Sequence, residues 1–242
     1  MQKYYLIFIL LLPVFMFAGF DINLEGGFAW CGYNDIGVPG DTGTKFSFCD
    51  DLNYQTQAYG RLHLGYKFND RHYVFITAAP LTVKAEGELD KPLYFGDTQF
   101  GANTPLTSYY CFNSWRTTWR YTLINTTKWQ FAAGFTAKIR DAYISVENST
   151  GKESFSNVGF VPIIHFMADY RLNDKSGFNL TGDALGAPQG RAEDVRISVY
   201  YLVTEKMKLD FGYRILEGGA DNDKFYGFAL FHYLSMGVSY RL

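Results

Sequence analysis

Residues 207–215 read Met-Lys-Leu-Asp-Phe-Gly-Tyr-Arg-Ile and alternate without a break between two kinds of side chain. The apolar members are Met207, Leu209, Phe211, Tyr213 and Ile215. The residues between them are Lys208, Asp210, Gly212 and Arg214. Because successive side chains of a β-strand point to opposite faces, the stretch predicts a strand with one oily face and one charged face.

The same two-residue period recurs along the chain and predicts ten strands. It is clear in 61–68, 114–123 and 159–172, where apolar or aromatic rows oppose rows that carry Arg, Lys and His. The predicted strands are roughly 21–33, 57–68, 72–88, 108–124, 128–147, 157–172, 177–186, 191–203, 207–217 and 225–242. The third is the least regular, because Pro80 interrupts it.

The connections between these strands fall into two alternating classes. Tight turns, most with residues that favour turns, occupy 69–71, 125–127, 173–175 and 204–206. Longer links occupy 34–56, 89–107, 148–156, 186–190 and 218–224. In bacterial outer-membrane barrels, short periplasmic turns alternate with longer external loops in the same way. The sequence therefore predicts an all-β fold, a closed antiparallel transmembrane β-barrel of about 10 strands (roughly 8–12), with short periplasmic turns and longer external loops.

Composition agrees with strands in a membrane. Aromatic residues make up 19% of the chain, which favours pleated strands over helices. Mean hydropathy is only −0.12, as expected where lipid-facing and interior residues cancel in an average. Rings beside the short turns predict an interfacial girdle: Tyr66, Phe68, Trp119, Tyr121, Trp129, Tyr170, Phe178 and Tyr201. A soluble β-sandwich is the alternative, but it requires neither a girdle nor a charged row opposite the oily one.

The first eighteen residues have the order of a secretory signal. Lys3 lies near the start, an apolar stretch runs from Tyr4 to Phe17, and Ala18-Gly19 follows. A membrane-anchor helix, which is the alternative, needs about 20 apolar residues. We therefore predict a cleaved signal peptide at 1–18 and export, with the barrel formed by 19–242.

The chain ends on an alternating apolar row: Leu234, Met236, Val238, Tyr240 and Leu242. This row resembles the C-terminal signal by which bacterial outer-membrane proteins are recognised for assembly. That signal typically ends in Phe, whereas this chain ends in Leu242. The resemblance is to the class of small outer-membrane barrels and covers the mature chain. It implies localisation in the outer membrane, contact with its lipid, lipopolysaccharide included, and insertion by the barrel assembly machinery.

The rows opposite the apolar ones define the predicted interior. Its charged and histidine members are Arg61, His63, Lys67, Arg116, Arg120, Lys138, Arg140, His165, Asp169, Arg171, Asp183, Arg196, Lys208, Asp210 and Arg214, with Glu25 as a further acid. Basic residues predominate, so the interior is predicted to be basic. Narrow barrels are filled by their own side chains, and buried charges need partners, so we expect a salt-bridged, water-containing plug. The alternative is a narrow anion-preferring pore or a site for an anionic ligand.

The three cysteines leave two interpretations open. Cys31 and Cys49 flank a Gly-rich loop and form a possible disulfide, which would leave Cys111 unpaired. Alternatively, all three are small apolar residues. No CxxC or HxxxH spacing occurs, so no metal is expected. Nucleotide-binding motifs and exposed basic patches are also missing from the sequence, and we expect no cofactor and no nucleic-acid partner.

Candidate catalytic residues are weak. His63 and His165 face the predicted interior, and Asp169 lies about 13 Å along the strand from His165, too far for direct pairing. Ten-stranded outer-membrane proteases hold acids and a His at the barrel rim. The rim acids here, with no His near them in sequence, are Asp50, Asp51, Asp221 and Asp223. We predict no enzymatic activity, an outer-membrane hydrolase acting on lipid or peptide being the alternative. The expected role is structural, or an interaction through the loops with a surface partner that the sequence does not identify.

Overall fold

A computed structural model describes residues 19–188 and 190–242, so the predicted signal peptide at 1–18 lies outside the described residues. Every regular element in these ranges is a β-strand. No helix in them is long and apolar enough to cross a membrane. The strands are β1 (Phe20–Gly37), β2 (Phe46–Ser47), β3 (Asn53–Tyr54), β4 (Gln57–Lys67), β5 (His72–Ala79), β6 (Thr82–Gly87), β7 (Leu93–Phe95), β8 (Thr98–Phe100), β9 (Leu106–Asn125), β10 (Trp129–Glu147), β11 (Lys152–Arg171), β12 (Ser176–Ala187), β13 (Gly190–Leu202), β14 (Met207–Asn222) and β15 (Phe225–Arg241).

The long strands form a closed antiparallel ring. Neighbours in sequence pair from β9 round to β15, and β15 then pairs with β1, from Asp21 opposite Arg241 to Gly37 opposite Tyr226. The ring continues through β4 to β5 and β6, which both pair with β9. Pro80 lies between β5 and β6, so these two segments act as one interrupted barrel strand. The predicted barrel of about ten strands is confirmed.

Side-chain caps close the tight turns at one end of the barrel. The Asn69 side-chain oxygen accepts hydrogen bonds from the backbone amides of Arg71 and His72, both at 2.9 Å. Asn173 accepts from the amides two and three residues further on in the same way. Asn side chains stabilise turns by such local bonds, which explains why these positions end the strands.

The barrel surface carries a broad apolar band. In β14, Leu209, Phe211 and Tyr213 point outward and are 43%, 48% and 39% exposed, whereas Asp210 and Arg214 between them are buried. Near the tight turns the band ends in stacked rings, with Trp129 against Phe131 at a centroid distance of 5.2 Å. An apolar exterior over an ionic interior is the pattern of a barrel in lipid.

Beyond this band the strands continue further than the sequence predicted. β1 reaches Gly37 instead of residue 33, β11 begins at Lys152 instead of 157, and β14 reaches Asn222 instead of 217. The links predicted at 148–156, 186–190 and 218–224 therefore shrink to tight turns. Ile36 in the extension of β1 is buried in an apolar core, and Phe155 in the extension of β11 packs against it, which stabilises strand structure above the membrane.

Two long loops, 38–56 and 88–105, fold into the outer mouth of the barrel. They bond to each other through the amide of Gly96 to the Val38 carbonyl and the amide of Thr44 to the Tyr94 carbonyl, both at 2.9 Å. Their buried residues, here called the outer plug, are Phe46, Phe48, Leu52, Leu89, Leu93, Phe95 and Phe100. The plug packs against the inward face of the strands and occupies part of the outer mouth.

Candidate functional site

Asp194 on β13 is the centre of the interior charge network. Its Oδ2 atom lies 2.8 Å from Arg61 Nη1 and 2.6 Å from Arg116 Nη2, and its Oδ1 atom contacts Arg214 Nη1. The Asp194 and Arg61 side chains are only 2% and 4% exposed. Since β4 and β9 lie across the ring from β13, these ion pairs span the lumen.

Further ion pairs extend the network around the interior. Glu25 Oε2 lies 2.6 Å from Arg214 Nη2 and 3.4 Å from Arg196 Nε, and Arg196 also pairs with Asp210. On the other side, the Asp183 carboxylate forms an ion pair with Arg116 and accepts a hydrogen bond from the Thr136 hydroxyl. It also contacts the imidazole of His165. The eight charged residues of this ionic belt are Glu25, Arg61, Arg116, Asp183, Asp194, Arg196, Asp210 and Arg214.

The ionic belt has a polar chamber of about 330 Å³ on its periplasmic side. Residues from the sequence prediction that line this lower chamber without belonging to the eight belt residues are His63, Arg120, His165, Asp169 and Lys208. Arg120 lies 4.6 Å from the centre of the Tyr73 ring, and Lys208 lies 5.6 Å from that of Tyr200. Cation–ring contacts thus stabilise the basic residues that have no carboxylate beside them.

A second chamber of about 600 Å³ lies on the outer side of the belt, and no residue lines both chambers. Its wall includes the apolar side chains Phe112, Ile144, Phe155, Leu185, Leu216 and Phe231. The tight turns after β12 and β14 also contribute, through Ala187, Gly190, Asn222 and Lys224. This outer chamber therefore extends up to the external rim.

Two basic side chains, Lys138 and Arg140, reach the outer chamber from β10. Lys138 is 3% exposed, and its ammonium lies 4.9 Å from the centre of the Phe112 ring. Within the described residues it forms no hydrogen bond or ion pair. Arg140 donates from Nη2 to the side-chain oxygen of Asn157, while its buried Nε has no hydrogen-bond partner among the described residues. Both residues offer donors to a ligand in the chamber.

Two members of the predicted interior set, Lys67 and Arg171, line neither chamber and lie at the tight turns. Lys67 pairs with Asp70 at 2.8 Å, and the Lys67 side chain is 47% exposed. The hydrogen bond and charge of Lys67 lower the pKa of the Asp70 carboxyl below its ordinary value. Arg171 donates to the carbonyl of Thr126 and the side chain of Asn125. Both basic residues occupy the last positions of strands at the tight turns, where the interior row reaches water.

Asp194 is the functional residue that the sequence analysis missed. It follows the same inward row as Arg196, two positions earlier on β13, so the period itself could have found it. His165 also finds a different partner from the one considered. Asp183 lies directly opposite it on β12, with the Nδ1 to Oδ1 distance at 2.9 Å. Asp194 joins three arginines, so the interior is more evenly paired than predicted.

Cys31 and Cys49 are joined by a disulfide, with their Cα atoms 6.2 Å apart. It ties β1 to the first loop of the outer plug. Cys111 is free and half-buried. The C-terminal row takes part in closing the barrel, since Leu234, Met236, Val238 and Tyr240 lie on β15 between β14 and β1.

The histidines and the rim acids lie apart. His63 and His165 line the lower chamber, while His72 and His232 contact Trp119 and Trp30 on the barrel surface. None of these four histidines lines the outer chamber. The rim acids Asp50, Asp51, Asp221 and Asp223 are exposed. In the described ranges, no group of three or more His, Cys, Asp or Glu side chains is placed to hold a metal ion.

Comparison with solved structures shows which fold the chain shares. No family model matches the chain, and no curated protein matches its sequence. The outer membrane protease OmpT from Escherichia coli is similar in fold, with a TM-score of 0.55 at 10% identity over 93% of this chain and 97% of that one. The transport unit of the autotransporter AIDA-I from Escherichia coli gives 0.48 at 8% identity, over 93% and 90%. Neisserial surface protein A gives 0.37 at 14% identity, over 93% and 98%.

At these identities the likeness concerns the fold alone. The chain has the fold of the small bacterial outer-membrane β-barrels, and its apolar band is the surface that such a fold presents to lipid.

Proposed function

We propose that this protein binds an amphiphilic anion in its outer chamber, with the apolar part against the chamber wall and the anionic group beside Lys138. This develops one of the roles considered from the sequence, a site for an anionic ligand. Lys138 is buried against the Phe112 ring and forms no hydrogen bond or ion pair with the described residues, and this observation carries the proposal.

Size and lining support a ligand of this kind. Small-molecule sites are mostly apolar clefts of about 300–1,000 Å³ with few, well-placed polar groups. The outer chamber, at about 600 Å³, has this size, and apolar side chains make up much of its wall. Lys138 and Arg140 are among its polar groups, which also include Asn34, Asn157 and the ion pair of Arg191 with Glu217.

Charge supports an anion in particular. A buried ammonium without a counter-charge is costly, and an anionic group beside it removes that cost. Most arginines of the ionic belt are already held by carboxylates, so they are less available to a ligand. Lys138 is therefore the cation best placed to select a negatively charged head group.

The ionic belt makes transport of ions across the whole lumen unfavourable, because its ion pairs connect opposite walls between the two chambers. We accordingly propose binding as the role, in preference to an anion-preferring pore. In planar bilayers the wild-type protein is expected to give no steady conductance, and an anion-selective current would contradict this part of the proposal.

The binding proposal is tested with two probes that share the length of their carbon chain, one with an anionic and one with a neutral head group. Purified protein in lipid nanodiscs is titrated with dodecanoate and with dodecanol, and binding is measured by calorimetry. Dodecanoate is expected to bind more tightly, and Lys138→Met should weaken it by about ten- to hundredfold because a charged hydrogen-bond partner is lost.

Lys84→Met is the matched control. Lys84 lies on β6 in the outer half of the barrel, but its ammonium pairs with Glu86 on the surface and does not line the chamber. This variant should bind dodecanoate like the wild type. Equal affinity for the two probes, or unchanged dodecanoate binding in Lys138→Met, would rule the proposed site out.

A further inference from the structure

Two neighbouring strands of the barrel wall, β11 and β12, are not paired beside the outer chamber. β11 and β12 pair from Arg171 opposite Gly177 up to Ile164 opposite Ala184, and their pairing stops there. Above this point β11 continues for twelve residues, from 163 back to 152, bonded only to β10. β12 continues through Ala187, bonded only to β13. The stretch of wall where these two strands are not paired is here called the side window.

The boundaries of the side window are residues of the outer chamber. Phe155 and Val161 line the chamber from β11, and Leu185 and Ala187 line it from β12. Above the gap, the Phe155 ring stacks on Phe225 of β15 with centroids 5.2 Å apart and planes within 4°. This stack connects the β10–β11 hairpin with the β14–β15 hairpin at the rim. The side window lies below the stack and faces sideways.

The outward row of β11 gives the height of the window in the membrane. Ser154 and Ser156 are exposed in its upper part, followed by Val158 and Phe160, which are 69% and 66% exposed. A change from hydroxyl to large apolar side chains marks the passage from water to hydrocarbon. The window therefore straddles the upper surface of the lipid.

Unpaired backbone at this edge also needs a polar environment. Strand edges are not tolerated in hydrocarbon, because their amide and carbonyl groups would lack partners there. At the surface of the lipid, water and head groups supply those partners. A molecule with a polar head and an apolar tail can pass such an opening with each part in a suitable medium.

We infer that the outer chamber is filled sideways from the outer leaflet, through the side window between β11 and the β12–β13 hairpin, by a single-chain lipid anion. This inference rests on the proposed function and adds the source and class of the ligand. The tail enters past Val161 and Ala187, and the head group follows as far as Lys138.

The test narrows the side window and measures the rate of entry. Ala187→Trp places a large ring at the window edge, and Ala58→Trp on β4 is the matched control, since Ala58 is exposed but does not line the chamber. Each protein in nanodiscs is mixed with vesicles that carry cis-parinarate, a fluorescent fatty acid. Ala187→Phe repeats the test with a smaller ring, and heat-dependent gel migration verifies folding of each variant.

Ala187→Trp is expected to slow the rise of bound fluorescence at least about tenfold, with an equilibrium affinity within about threefold of the wild type, because a barrier on the path changes rates in both directions. Ala58→Trp should follow the wild type. An unchanged rate in both Ala187 variants, with binding still dependent on Lys138, overturns the lateral route and leaves the proposed function standing. Absence of parinarate binding in the wild type overturns both. An affinity that falls as much as the rate also counts against the route, since the ring would then occupy the site itself.

Discussion

The two halves of this barrel have opposite interiors. On the periplasmic side the lumen holds the ionic belt and the polar lower chamber, beneath an exterior of Leu, Phe and Tyr. On the outer side the same strands enclose an apolar core in which Phe48, Phe95 and Phe231 are at most 2% exposed. The reversal occurs within single strands: on β14, inward Arg214 is followed two positions later by inward Leu216.

The medium around each half explains the difference. Where lipid surrounds the barrel, apolar side chains face outward and the polar ones must pair inside. Where water surrounds it, burial of apolar surface drives packing as in a soluble protein, and the interior becomes oily. The outer chamber lies just beyond the belt, so it combines apolar walls with the basic groups of Lys138 and Arg140.

The largest expected effect tests the ionic half. Asp194→Ala removes the carboxylate shared by Arg61, Arg116 and Arg214, which leaves buried charges without a partner. We expect the free energy of unfolding to fall by about 3–5 kcal/mol, measured by urea titration of the barrel in lipid vesicles. Asp70→Asn, which removes an exposed partner of Lys67, is the control and should cause no measurable change. Similar stability of the two variants would mean that the belt does not hold the lower half together.

The second-largest expected loss of stability tests the packing of the apolar half. Phe95→Ala empties a fully buried position in the outer plug, and should lower stability by about 3 kcal/mol through lost burial and the cavity left behind. Its neighbour Tyr94 is 52% exposed, so Tyr94→Ala is the matched control. Limited proteolysis of loops 38–56 and 88–105 should be faster only in the Phe95 variant. Equal cleavage of both would show that the plug is not a packed core.

The smallest effect concerns the link between β1 and the plug. Replacement of Cys31 and Cys49 by Ser releases a crosslink with a sequence separation of 18 residues, which is expected to cost about 2–3 kcal/mol. Urea titration under oxidising conditions measures the loss, and cleavage should begin in loop 38–56. Cys111→Ser, a change at the free cysteine, serves as the control. Unfolding of the ionic half at lower urea, with the plug unaffected, would contradict the separation of the two halves.

The sequence predicted most of the barrel because its period follows directly from strand geometry. The tight turns, the strand break at Pro80 and the apolar exterior all depend on residues close together in the chain. Strand ends on the outer side were predicted too short, since the core that stabilises them is assembled from two distant loops. The chemistry of the site was harder to predict, because the interior alternation does not tell which inward residues meet.

By itself, the sequence determined that this chain forms a two-faced ribbon with ten strands, because side-chain alternation is a local property of the backbone. Only the tertiary structure decided which charges pair across the lumen, that loops 38–56 and 88–105 pack into the outer mouth, and that Lys138 forms no ion pair with the described residues. Those outcomes depend on ring closure and on the register between strands, which bring residues far apart in the chain into contact.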